Sequence, residues 1–120
     1  MGLDAWITKV PKKYVVNDFR FRTQFITVEM ADDFFYWRKN WAVQNWFELL
    51  YKSKGGKNND FNGVWVRFTY PDLKIFNNFI INKVYWDDQN DYIYTKTFTS
   101  KAANVFKNEK DQALYYCSSW

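Results

Sequence analysis

Residues 34–47 read FFYWRKNWAVQNWF, with seven aromatic side chains in fourteen positions. These apolar residues are too many for one face of a helix. An advance of about 100° per residue would place Phe35, Ala42, Trp46, Leu49 and Leu50 on one arc, flanked by Tyr36, Val43 and Phe47. Roughly opposite fall Phe34, Trp37, Arg38, Trp41, Gln44, Asn45 and Glu48. Trp37 and Trp41 would then stand one turn apart among hydrogen-bonding groups, the composition of a protein-binding hot spot. Either a second layer covers this face, such as the C-terminal segment with Tyr115, Tyr116 and Trp120, or the face docks a partner.

The flanks support a helix from Asp32 and Asp33 to about Ser53. Two carboxylates at its start would accept orphan backbone N–H groups. Gly55 and Gly56 follow at the expected stop, among Lys52, Lys54 and Lys57. Upstream, residues 2–10 alternate as a half-buried strand. Residues 18–26 place Phe19 and Phe21 against Arg20 and Arg22, and antiparallel pairing of these two strands is expected. Downstream, residues 57–63 read as a turn and 64–70 as a strand. Thr69, Pro71 and Asp72 then start a helix carrying Leu73, Phe76, Ile80 and Val84 at three- and four-residue spacing. Residues 86–91 read as a loop, 92–99 as an alternating strand, Ser100 to about Asn108 as a short helix, and 113–119 as a last strand. The expected fold is α+β: a single domain over residues 1–120, with a largely antiparallel sheet, a long aromatic-rich central helix and one or two further helices.

Of 120 residues, 23% are Phe, Tyr or Trp. Each buried ring removes about 150–250 Å² from water, so a few rings dominate the packing, and not all can be hidden in so small a body. The excess of 17 Lys and Arg over 13 Asp and Glu is mild and dispersed. Histidine is absent, which removes Ser-His-Asp and Cys-His catalysis and the commonest zinc ligand. No P-loop, dinucleotide-binding glycine pattern or EF-hand occurs. No cofactor or metal site is expected: Asp32 and Asp33 are assigned to capping, and Asp87, Asp88 and Asp91 to a solvated turn. A carboxylate enzyme using Arg38 and tyrosines stays a third alternative.

The single cysteine, Cys117, sits in an apolar strand and is expected to be a buried, inert thiol. The lack of a disulfide partner, signal peptide or apolar run of about 20 residues makes cytoplasm the expected location and excludes a membrane role. The main expectation is a non-enzymatic protein that binds a protein partner through Trp37, Arg38, Trp41, Gln44, Asn45 and Glu48; closure of a homodimer is another use for that face. The alternative is single-stranded nucleic-acid binding through Lys12, Lys13, Arg20 and Arg22 with nearby rings.

The opening MGLD, the central YWRK at residues 36–39 followed by Asn45, Trp46 and Phe47, and the terminal Ser118, Ser119 and Trp120 resemble an uncharacterised family of small phage and bacterial proteins. Its members begin MGLDMYL, carry a motif like YWRKANAIHNWF and end in SSW. The resemblance implies a phage or prophage origin and an accessory protein acting on a host or defence protein in the host cytoplasm. This chain departs at Trp41, where the motif has Asn, and at Gln44, where it has His. An activity that used that His would be missing here.

Overall fold

The chain breaks its central aromatic stretch at Lys39 and Asn40. In the computed structural model, which describes residues 2–12, 21–22, 32–57, 61–81 and 89–120, Asp32–Arg38 is a strand and the helix begins only at Trp41. The expected helix from Asp32 is therefore corrected. Lys39 takes a left-handed φ of 55°, which a continuous α-helix cannot accommodate. The cap is Asn40, whose side chain accepts a hydrogen bond from the Val43 amide at 3.1 Å. Asp32 and Asp33 belong to the strand. Before the break, Phe35 and Trp37 are buried while Tyr36 and Arg38 are exposed, the two-residue period of a half-covered strand.

In chain order the elements are β1 (Asp4–Pro11), β2 (Phe21–Arg22), β3 (Asp32–Arg38), α1 (Trp41–Ser53), β4 (Trp65–Phe68), α2 (Tyr70–Ile81), α3 (Gln89–Asn108) and β5 (Gln112–Ser119). The strands form one antiparallel sheet in the order β2-β4-β5-β1-β3. The architecture is α+β, as expected. The partner of the second strand differs from expectation: β2 pairs with β4, while β1 pairs with β5 over its whole length and with β3 on its other side. On that side Ile7 faces Phe35 and Thr8 faces Asp33, so Phe34 is an extra residue. The bulge lets two consecutive phenylalanines approach the same ring, Phe98 of α3.

Residues 92–99 also differ from expectation, being part of the twenty-residue α3. Their local alternation yields to a longer stripe. Thr95, Phe98, Thr99, Ala102 and Val105 recur at three- and four-residue spacing, and all are buried. Val84 and the Asp87–Asp88 pair lie outside the described residues.

Two further helix boundaries, the end of α1 and the start of α2, follow their sequence signals. Gly56 N–H bonds Tyr51 O and Gly55 N–H bonds Lys52 O, with Gly55 at φ 96°, which is a Schellman stop. A Cβ at Gly56 would overlap the buried Tyr51 ring, so any larger residue there forces that ring to move. At α2, the Asp72 carboxylate accepts from the Thr69 amide and hydroxyl, both at 2.8 Å, and from Lys54 Nζ at 2.7 Å.

All three helices contribute to one core on a single face of the sheet. Phe47 stacks on Tyr116 with 3.9 Å between centroids, and Phe76 and Phe98 meet edge to face at 5.7 Å. On the opposite face Val10, Ala113 and Tyr115 form a smaller buried cluster, with Trp65 packed beside it.

Candidate functional site: a cationic cleft at the end of the sheet

The break at Lys39 disperses the expected docking surface. Trp37 is only 2% exposed. Its indole donates to Thr95 Oγ1 at 3.0 Å and meets Phe98 edge-on at 5.0 Å, so it is a core residue and no anchor. Arg38, the next strand residue, is exposed on the other side of the sheet. Beside it the Tyr36 hydroxyl donates to Asp4, and this bond to the carboxylate raises the phenol above its ordinary pKa. Gln44 is buried rather than outward-facing: its Oε1 accepts from the Tyr116 hydroxyl at 2.5 Å and its Nε2 donates to Phe61 O at 3.3 Å. Burial foremost drives the Tyr116 pKa upward, so this phenol acts as a structural donor.

Three of the six residues do share the outer face of α1. Trp41 is half exposed, Asn45 is exposed, and Glu48 pairs with Lys52 at 3.6 Å. Leu49, expected in the core, is 66% exposed on this face. Trp120 meets Trp41 edge-on at 6.2 Å, and Asn62 holds the Trp120 backbone through two hydrogen bonds.

Of the four residues in the expected basic strand face, Lys13 and Arg20 lie outside the described residues. Arg22 sits in β2 opposite Trp65. Lys12 lies elsewhere, at the exit of β1, where its amide bonds Asp111 O at 2.7 Å. That bond ties the end of β1 to the turn between α3 and β5, and brings Lys12 and Lys110 to one cleft.

The cleft, of about 660 Å³, lies where β1 and β4 end, α2 and β5 begin, and α3 finishes. Lys12, Arg67, Lys107 and Lys110 line it, and none of its described lining residues carries a carboxylate. Of the acids close in sequence, Glu109 pairs with Lys9 at 2.9 Å and Asp72 with Lys54, while Asp111 is exposed at the rim with its carboxylate 3.4 Å from the Gln112 amide. Lys12, Lys107 and Lys110 are exposed and make no ion pair among the described residues. Arg67 stands opposite Tyr115 in the β4–β5 ladder and holds its guanidinium 5.8 Å over that ring, so this charge lies at the margin of the cleft, on the sheet face away from the helices. Ala103 and Phe106 give the cleft an apolar floor above the fully buried Phe68, and Tyr70 adds an exposed ring 6.0 Å from Phe106. Three lysines converging on a concavity concentrate anions.

Sequence reasoning found Lys12 and missed Arg67, Tyr70, Phe106, Lys107 and Lys110. They arrive from separate elements, so no local run announced them. Among the described residues no cluster of His, Cys, Asp and Glu could hold a metal, and no helix is long and apolar enough to cross a membrane. Cys117 is largely shielded, and burial pushes its thiol pKa up to about 11, which leaves it protonated at neutral pH. No protein-family model, curated protein or solved structure matches this chain, so geometry carries the functional reading.

Proposed function

We propose that the protein binds single-stranded nucleic acid in the cationic cleft. The observation that carries this reading is the convergence of Lys12, Lys107 and Lys110 on a concavity whose described lining holds rings and no carboxylate. Cations that track phosphates, together with rings that accept base planes, are the two ingredients of sequence-tolerant strand binding. The site retains Lys12 from the expected basic set but is built from an end of the sheet rather than from a strand face. Anisotropy of a labelled single-stranded oligonucleotide, titrated at several salt concentrations, tests the reading. Affinity falls steeply with salt, and Lys107→Gln/Lys110→Gln makes the logarithmic slope shallower by about 1.4, the share of two phosphate contacts. Absence of binding at low salt, or an unchanged slope in the double variant, rejects it.

A second reading rests on the half-exposed Trp41, braced by Trp120 and in line with Asn45 and Leu49. It assigns the outer face of α1 to a protein partner. In the phage setting that the resemblance implies, a host or defence protein in the cytoplasm is the partner class. Equal capture of host protein by the wild type and a folded Trp41→Ala/Leu49→Ser variant counts against it.

A further inference from the structure

We infer that the cleft takes one unpaired base of the strand into its interior, so that recognition joins a base plane to its flanking phosphates instead of counting phosphates alone. This rests on the nucleic-acid reading above and adds to it the form of the ligand. A patch that only neutralised a backbone would need no depth. Here three lysines stand around Ala103 and Phe106 in a space of about 660 Å³, within the range of roughly 300–1,000 Å³ typical of sites that enclose small organic groups. An inorganic anion gains nothing from such a floor. A base does, because its faces are apolar and its phosphates stay outside.

Tyr70 supplies the ring. It occupies the first turn of α2, is 52% exposed and has Lys74 Nζ 4.9 Å from its centroid. Its edge of the cleft thus carries a π-face beside positive charge, the pairing that holds a base and its phosphate together. Gln112 supplies a polar group within the cleft. Its Nε2 lies 3.4 Å from Asp111 Oδ2, too long for a strong bond, so its amide retains donor and acceptor capacity for a base edge. A base stacked and paired within a duplex cannot present itself to such a concavity, whereas a single strand can. The inferred arrangement therefore has Tyr70 and Phe106 against the base, Gln112 at its edge, and Lys12, Lys107 and Lys110 on the adjoining phosphates.

The test compares labelled single-stranded homo-oligonucleotides of adenine, cytosine and thymine, with matched duplex and inorganic polyphosphate as competitors. Tyr70→Ala is expected to lower single-strand affinity about tenfold or more with the salt slope unchanged, and Tyr70→Phe to restore it. Gln112→Leu is expected to alter the order of preference among the three homo-oligonucleotides, again without changing the slope. Circular dichroism verifies that each variant is folded; Tyr70 is exposed, so its removal leaves the core intact. Duplex or polyphosphate competing as well as single strand, or Tyr70→Ala binding as tightly as wild type, overturns base insertion while leaving salt-dependent nucleic-acid binding in place. An unchanged preference in Gln112→Leu removes that residue from the base edge. No binding by the wild type at low salt overturns both readings together.

Discussion

Trp37 and Trp41 are the same residue type four positions apart, yet one is sealed beneath α3 and the other is half exposed on α1. On a continuous helix they would share a face. The left-handed turn at Lys39 instead separates a strand, where neighbours alternate between sheet faces, from a helix with its own period. What buries a ring is the period of the element that carries it, and composition within a window does not reveal where one period ends. The largest expected effect follows from this contrast. Trp37→Ala removes a fully packed indole and leaves buried Thr95 without its partner, so urea unfolding should show a loss of about 3–5 kcal/mol. Trp41→Ala removes only an edge contact with Trp120 and should cost less than about 1 kcal/mol. Similar losses for the two variants would erase the distinction between them.

The same contrast shows which parts of the fold were legible. β1, β4, α2, β5 and the glycine stop of α1 carry local signals that agree with their tertiary surroundings. Thr69 and Asp72 mark a helix start and then form its cap; Gly55 and Gly56 mark a stop and then form it. The stretch before Lys39 was not legible because its rings are too dense to display either period, and the break depends on a backbone angle that lysine does not advertise. Residues 92–99 misled for a different reason. Their alternation is real, but the helical stripe of Thr95, Phe98, Thr99, Ala102 and Val105 is the one that the core buries. The cationic cleft was hidden most completely. Lys12, Lys107 and Tyr70 meet only because β1 and α3 end where α2 begins, and three-dimensional convergence leaves no trace in local spacing.

Gln44 sharpens the comparison at intermediate cost. Read as part of an outer face with Trp41, it instead accepts the Tyr116 hydroxyl in the core, and both side chains are essentially inaccessible. Tyr116→Phe keeps the stacked ring on Phe47 but strands the amide oxygen of Gln44, so it should destabilise by about 1–3 kcal/mol. Adding Gln44→Leu should recover part of that loss, since the orphaned acceptor disappears with it. A pH signature accompanies the pair. Burial holds the Tyr116 pKa above its ordinary 10 in the folded chain, so its stability contribution is complete below that value and declines as pH rises beyond it. The alkaline decline should be smaller in Tyr116→Phe. Equal stability of Tyr116→Phe and wild type, with the same alkaline decline, would return Gln44 to the surface.

The smallest effect tests the break itself, and it does so by sign. Within a continuous helix, Lys39→Gly would cost about 1 kcal/mol, because glycine is a poor helix former. At a φ of 55°, glycine relieves the steric cost that lysine bears there, of order 1 kcal/mol. Its greater freedom in the unfolded chain offsets some of this, leaving a change between zero and about 0.5 kcal/mol in the stabilising direction. Lys39→Val supplies the opposite arm. A β-branched side chain in the left-handed region should cost about 1–2 kcal/mol, whereas the same substitution in an exposed helix interior would cost only about half a kcal/mol. Glycine more stable than valine by more than about 1 kcal/mol therefore requires the turn. The reverse order would restore one helix through residue 39, and with it the shared face of Trp37 and Trp41.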